Sequence, residues 1–239
     1  MKFSRVLPPV VCLCMALFAG AANAQSNDTF LYFVHGASGR SVSSSANPAY
    51  PVDVLVNGQF CIVQGAAFGD IKGPFTAAAG NFSFKVSVAS TSSPCGNPAI
   101  YEVSTALTAG QTYFGVFNVT PNGKFYTSLV TADYSTIAAG QSRVVIANYT
   151  DKTLSASLTA ESNNETNSLN YIAPGTFQTA VAPSGKYSGG IYVAGTQNLV
   201  LGPLSANLQS RDYSIYFLSG SVANSSVQLI GPKTIKNVF

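Results

Sequence analysis

The sequence has little charge. Asp, Glu, Lys and Arg make up 9% of its 239 residues, against roughly 25% in an average soluble protein. The formal net charge is only +3, and the basic residues form no run. We therefore expect neither nucleic acid nor an anionic membrane surface as a partner. Ser, Thr, Asn, Gly and Gln supply the polarity instead. With ample apolar and β-branched residues, this composition predicts a folded, exported β protein rather than a disordered chain.

The residues that carry most enzyme chemistry are also scarce. His35 is the only histidine, and there is no tryptophan. The sequence contains neither a G-x-S-x-G elbow nor an H-E-x-x-H motif, and its acidic residues are too scattered for a calcium site. His35 could serve as a general base, but with no partner in the sequence a structural role is favoured. We expect no enzyme activity, no catalytic residues, no cofactor and no metal.

The one apolar run, residues 6–20, lies at the start of the chain and contains a double proline, Pro8-Pro9. It is shorter than the roughly 20 residues that a spanning helix needs. An A-x-A pattern ending at Ala24 follows it. This arrangement predicts a secretory signal peptide over residues 1–24, with an uncleaved anchor as the alternative. We expect the mature chain to be periplasmic, extracellular or at the cell surface, with no membrane span after cleavage.

Cysteine is rare, and only Cys61 and Cys95 remain after signal cleavage. An even pair in an oxidising compartment favours a disulfide between them. The alternative is two separate thiols, with Cys61 as a small core residue of its strand. Two cysteines and one histidine make a poor metal site in either case.

The strongest structural signal is the stretch 50–63, YPVDVLVNGQFCIV. Two β-rich runs joined by Asn57-Gly58 predict a hairpin with a type I′ turn, whose two central residues both need positive φ. Residues 82–88 alternate apolar and polar side chains, as in a strand with one buried face. Many such short segments, separated by Gly, Pro, Asn and Ser, predict an all-β fold of β-sandwiches.

The strand pattern occurs twice, with a period of roughly 100 residues. Residues 208–217 parallel residues 107–117, with Tyr213 aligned to Tyr113. A period this long indicates an internal duplication. We predict two tandem Ig-like antiparallel β-sandwiches, over residues 28–131 and 142–239, joined by a linker at residues 132–141.

Several short motifs of the first half together resemble a family of exported bacterial β-sandwich repeats that is classed as a domain of unknown function. They are His35-Gly36-Ala37-Ser38, Pro51-Val52-Asp53-Val54-Leu55-Val56-Asn57-Gly58, Ala67-Phe68-Gly69, Ala79-Gly80-Asn81-Phe82 and Ala109-Gly110-Gln111-Thr112-Tyr113. The resemblance covers residues 30–131 well and residues 142–230 weakly. It implies a tandem sandwich on a secreted or surface protein, with His35, Asp53, Asn57 and Gly58 as structural residues. It brings no catalytic residues.

The second half also resembles the periplasmic accessory protein of alginate O-acetylation. The likeness rests on Arg143-Val144-Val145-Ile146-Ala147-Asn148, followed by Asp151-Lys152-Thr153-Leu154. It implies an accessory scaffold subunit in exopolysaccharide modification.

The leading functional hypothesis is a non-catalytic envelope or cell-surface module that binds an envelope protein or a polysaccharide. The loops 36–48 and 90–98 are its expected contact surfaces, because loops on a rigid scaffold commonly carry binding residues. Side chains near loops are the candidate contacts: Arg40, Tyr50, Tyr134 and Tyr149. The alternatives are the accessory subunit and, remotely, an enzyme.

Overall fold

The computed structural model describes residues 28–43, 45–120 and 122–236. The predicted signal peptide lies outside the described residues. Those that are described form sixteen strands and one four-residue helix, which confirms the all-β prediction. No helix in this part of the chain is long and apolar enough to cross a membrane.

The first eight strands build one sandwich. They are β1 (Asp28–His35), β2 (Val52–Val56), β3 (Phe60–Ala66), β4 (Ile71–Ala78), β5 (Gly80–Val88), β6 (Ala99–Leu107), β7 (Thr112–Val119) and β8 (Phe125–Thr131), with helix α1 (Gly39–Val42) after β1. One sheet has the order β4-β1-β7-β8 and the other β3-β2-β5-β6. We call this unit repeat 1.

The last eight strands build a second sandwich, repeat 2. They are β9 (Gln141–Tyr149), β10 (Leu154–Ala160), β11 (Thr166–Ile172), β12 (Thr176–Pro183), β13 (Gly185–Val193), β14 (Leu199–Leu208), β15 (Tyr213–Ser219) and β16 (Gln228–Ile235). The sheet orders are β12-β9-β15-β16 and β11-β10-β13-β14. Strand for strand this is the topology of repeat 1, so the predicted duplication and tandem sandwiches are confirmed. The strand pairs are antiparallel except for β1–β7 and β9–β15, which are parallel.

The two repeats share a hydrophobic core. Strands β1, β7, β9 and β15 are buried on both faces, as their nearly continuous apolar sequences predict. One face of each strand packs inside its own sandwich, and the other packs against the opposite repeat. This inter-repeat core contains Tyr32, Val34, Phe114, Val116, Val130, Ala132, Ile137, Val145, Ala147, Tyr149, Tyr213, Ile215, Phe217 and Ile230. The four sheets therefore form four stacked layers.

Hydrogen bonds from polar side chains connect the two repeats at one end of this core. The Ser219 hydroxyl donates to the Gly36 carbonyl oxygen (2.6 Å), and its oxygen lies 3.3 Å from Asn118 Oδ1. Asn118 Nδ2 donates to the Tyr149 carbonyl oxygen at 3.5 Å. All four residues are buried, so these bonds orient the repeats in a way that apolar packing alone would not.

The connection between β8 and β9 is packed against both repeats. Ile137 is buried in the inter-repeat core. The buried guanidinium of Arg143 donates to the Ser135 carbonyl oxygen (3.2 Å) and hydroxyl (2.9 Å) and lies 3.2 Å from the Asp133 carboxylate. This segment is therefore an ordered connection that packs against the inter-repeat core.

Strand pairing corrects the alignment of the repeats by one residue. In repeat 1, Leu31 pairs with Tyr113, and both pack inside the sandwich. In repeat 2 the inward residue Val144 pairs with Ser214, whereas Tyr213 packs in the inter-repeat core. Tyr113 therefore corresponds to Ser214 and not to Tyr213. The misalignment arose because both strands contain aromatic residues on both faces.

Candidate functional site

His35 is buried at the end of β1 and is hydrogen-bonded through both ring nitrogens. The Ala37 N–H donates to Nδ1 (3.3 Å), so Nε2 carries the proton and donates to the Tyr50 carbonyl oxygen (2.8 Å). Asn148 occupies the equivalent position of β9, and its Oδ1 accepts from the Thr150 N–H two residues on (2.9 Å). The shared geometry supports the structural role favoured by the sequence.

Burial lowers the pKa of His35, although the hydrogen bond to Tyr50 and the charge of Asp70 oppose the shift. Because the unfolded chain then binds a proton that the folded chain does not, stability is full above about pH 6.5 and falls as the pH drops below it. We expect the free energy of unfolding to fall by at most about 1.4 kcal/mol per pH unit in that window. Urea titrations at pH 7.5 and 5.5 would measure the loss.

His35→Asn is the matched control, since asparagine occupies this position in repeat 2. It should remove the His35 contribution to the loss between pH 7.5 and 5.5. An identical pH dependence in the two proteins would show that His35 is not the titrating group.

Asp53 is a buried carboxylate that ties three segments together. Its Oδ1 accepts from the Gly65 N–H (2.8 Å), and its Oδ2 accepts from the N–H groups of Ser90 (3.2 Å) and Cys95 (2.9 Å). The predicted disulfide is present: Cys61 and Cys95 are bonded, with their Cα atoms 5.9 Å apart. The loop 90–98 is therefore anchored by a carboxylate and a covalent bond.

The Asn57-Gly58 turn has the conformation that the sequence predicts, with φ of 50° and 68° at its two central residues. The Asn57 side chain also accepts from the Ser83 N–H (2.9 Å). This turn thus links the β2–β3 hairpin to β5. Its residues serve the fold of repeat 1.

The four candidate contact residues do not form one surface. Tyr149 is only 4% exposed and lies in the inter-repeat core. Its predicted exposure was wrong, because β9 is covered on both faces. Tyr50 is half-buried against Phe125 (ring centroids 6.0 Å apart). Tyr134 is half-buried against Tyr213, and burial raises the pKa of Tyr134 to about 12. Of the four, only Arg40 is exposed.

An aromatic residue that sequence analysis missed is the most exposed large apolar side chain described. Tyr171 of β11 is 67% exposed and has a φ of +57°. Asn170 and Tyr171 form a β-bulge, because both lie opposite Ser155, between the paired residues Leu169 and Ile172. A bulge at such a position redirects side chains, and a bulky residue in the left-handed region is strained.

The duplication shows how unusual this residue is. Repeat 1 has the same bulge, at Gln64 and Gly65 opposite Asp53, and there glycine occupies the left-handed position with φ of +61°. The hydrogen bond across the bulge also recurs, because the Tyr171 N–H donates to the Ser155 hydroxyl (3.4 Å) as the Gly65 N–H does to Asp53. Repeat 2 therefore carries a tyrosine where the fold favours glycine. Aligning the Ala-x-Gly motifs at 67–69 and 173–175 would have revealed the substitution.

Tyr171 borders an open cleft on the outer face of the β11-β10-β13-β14 sheet. The cleft has a volume of about 520 Å³, and Tyr192 of β13 provides a second ring. The remaining lining residues are small or uncharged: Ser155, Ala156, Ser157, Ser168, Asn170, Gly195, Thr196 and Gln197. Hydroxyl and amide groups beside two aromatic rings can hydrogen-bond and stack, while no charge lies among these lining residues to attract ions.

A metal site is not part of this arrangement. The described residues contain no group of three or more His, Cys, Asp or Glu side chains that could hold a metal ion.

A family model covers residues 31–155, from β1 to the start of β10, which is just over half of the 239 residues. Its description is "Domain of unknown function (DUF4397)". The chain belongs to this family. The expected family of unknown function is thus confirmed, and the matched region of DUF4397 contains His35, Asp53 and the Asn57-Gly58 turn. No curated protein matches the chain.

The solved structures that the chain matches share little sequence with this DUF4397 chain. The Bacillus anthracis TIE protein is 10% identical, with 81% of this chain and 33% of that protein covered and a TM-score of 0.27. Candidate cell adhesion proteins from Bacteroides ovatus and Bacteroides uniformis are 8% and 10% identical, with TM-scores of 0.25 each. The matches cover 90% and 88% of this chain and 99% of each of those two. This chain spans only about a third of the Bacillus anthracis protein.

Proposed function

We propose that the protein is a non-catalytic module of the cell envelope or cell surface that binds an uncharged segment of a polysaccharide in the Tyr171–Tyr192 cleft. One observation carries the proposal. A strained, exposed tyrosine occupies a bulge position where the sister repeat has glycine. Backbone strain that the fold does not need is commonly retained for function.

The chemistry of the cleft supports a sugar ligand. A sugar ring presents an apolar face of C–H groups, which stacks on an aromatic ring, and a rim of hydroxyls that exchange hydrogen bonds. Tyr171 and Tyr192 offer rings, while Asn170 and Gln197 offer both donors and acceptors. The cleft volume lies within the usual range of ligand sites.

The proposed location rests on the sequence. The predicted signal peptide directs the chain out of the cytoplasm, and the Cys61–Cys95 bond suits an oxidising compartment. A role as an accessory scaffold subunit of exopolysaccharide O-acetylation stays a prediction.

A binding screen followed by substitution tests the proposal. The purified chain should bind a neutral polysaccharide on a glycan array, and Tyr171→Ala should weaken that binding at least tenfold by calorimetry, which is about 1.4 kcal/mol. Phe60→Ala is the matched control, because Phe60 is exposed to a similar extent (61%) but lies in repeat 1. Equal affinity of Tyr171→Ala and the parent, or no glycan binding at all, would refute the proposal.

Tyr171→Gly should separate binding from stability. Glycine relieves the left-handed strain but raises the entropy of the unfolded chain, so we expect the free energy of unfolding to stay unchanged or rise by up to about 1 kcal/mol. Glycan binding should be lost in the same protein, as in Tyr171→Ala. Urea unfolding and calorimetry on the two variants would check this, and a Tyr171→Gly protein that is clearly less stable than the parent would contradict it.

A further inference from the structure

The sandwich of repeat 1 contains an apolar cavity that His35, Asp53, Asn57 and Gly58 do not line. It has a volume of about 260 Å³ and lies between the two sheets. Its inner wall is formed by core side chains, among them Leu31, Phe33, Val54 and Val86. An engineered cavity of about 150 Å³ with this kind of lining stays dry and binds benzene. The larger cavity here has the same kind of apolar lining.

The cavity opens between β6 and β8, which are edge strands of the two sheets. Leu129 lies at this opening and is 40% exposed. The polar residues of the lining are Ser104, Thr105 and Thr127, and they lie on the same two strands. The site therefore combines a hydrocarbon interior with uncharged hydroxyl groups at its mouth.

Repeat 2 shows what the same space looks like when it is filled. The corresponding cavity between its sheets measures only about 30 Å³. Tyr216 lines it and pairs with Ile146 of β9, whereas in repeat 1 the matching pair is Gly115 and Phe33. A Cβ atom at Gly115 would make only ordinary contacts, 3.7 Å from Leu31 Cδ1 and 3.8 Å from Leu129 Cδ2. The backbone therefore does not require glycine at position 115. Because Gly115 has no side chain, the space that Tyr216 fills in repeat 2 is open to a ligand in repeat 1.

We propose that this cavity binds one hydrocarbon chain, with an uncharged polar head at the mouth formed by β6 and β8. Since about 150 Å³ holds the six carbons of benzene, about 260 Å³ holds roughly ten. A saturated acyl chain of medium length fits this volume. The site is independent of the Tyr171–Tyr192 cleft, which lies on the other repeat.

Titration with 1-decanol tests the inference directly. We expect an NMR titration to show saturable binding of one decanol molecule per chain. The melting temperature should also rise with decanol concentration, because the ligand binds only the folded state. Gly115→Phe places a ring where Tyr216 lies in repeat 2 and should weaken decanol binding at least tenfold. Val181→Ala, an exposed position of β12, is the control and should bind as the parent does.

A free chain and a membrane lipid offer the same hydrocarbon, and co-sedimentation with phosphatidylcholine vesicles that contain diacylglycerol, whose head is an uncharged hydroxyl, separates them, with vesicles of phosphatidylcholine alone as the control. Sedimentation that Gly115→Phe abolishes would identify a lipid, and decanol binding without sedimentation would identify a free chain. If Gly115→Phe fails to fold by circular dichroism, Leu129→Asp at the mouth replaces it with the same expected loss. No saturable binding of decanol, or undiminished binding by the folded variant, would overturn the inference.

Discussion

Residues 28–131 produced without repeat 2 are expected not to form a stable monomer. Without β9 and β15, one face of the β4-β1-β7-β8 sheet would expose the side chains of Tyr32, Val34, Phe114 and Val116, which the whole chain buries. An apolar patch of this kind drives association or aggregation. Size-exclusion chromatography with light scattering should show oligomers or aggregates. A monodisperse monomer that melts near the temperature of the full chain would contradict the expectation.

A substitution in the full chain tests the same core without truncation. Phe217 is fully buried in the inter-repeat core, and Phe217→Ala should lower the free energy of unfolding by about 3 to 5 kcal/mol. Because both repeats contact this core, the variant should still unfold in one transition at a lower denaturant concentration. Two separate transitions would mean that the repeats are energetically independent.

Asp53→Ala should cost about 3 to 5 kcal/mol, the largest effect expected of any polar substitution in repeat 1. The carboxylate accepts three backbone N–H groups, from Gly65, Ser90 and Cys95. Alanine leaves all three without an acceptor in a largely buried place, and hydrogen bonds to a charged group are stronger than average. Urea unfolding under non-reducing conditions, with the disulfide intact, would measure the loss.

Repeat 2 provides the control for this substitution. Ser155 takes the place of Asp53 opposite the bulge, but its hydroxyl accepts only the Tyr171 N–H, at 3.4 Å. Ser155→Ala should therefore cost no more than about 1 kcal/mol. Equal costs for the two substitutions would show that the carboxylate does not organise repeat 1 as described.

Local patterns in the sequence predicted much of repeat 1. Asn57-Gly58 fixed the turn type because so few residues adopt positive φ, and the alternation of residues 82–88 identified the strand β5. The pairing of Cys61 with Cys95 followed from the two cysteines that remain after the predicted signal cleavage and from the oxidising compartment which that signal implies. Each of these signals can be identified without knowing which strands or sheets pack against each other.

The inter-repeat core and the Tyr171 cleft depended on information of another kind. Continuous apolar strands such as residues 143–149 indicate burial on both faces but do not name the partner sheet, which is why Tyr149 was misplaced. The exposure of Tyr171 follows from a bulge, and a bulge is visible only once strand register is known. The cavity beside Gly115 likewise appears only when the two sheets face each other.

The stacking of four sheets also determines the distance between the two outermost sheets. Packed sheets lie about 10 Å apart, so the three gaps between the outermost layers add up to about 30 Å. The β3-β2-β5-β6 and β11-β10-β13-β14 sheets lie at the two ends of this stack, with the shared core between them. The shared core therefore separates the two outermost sheets by about this distance. A polymer chain held on one end would be kept at a fixed separation from whatever is held at the other.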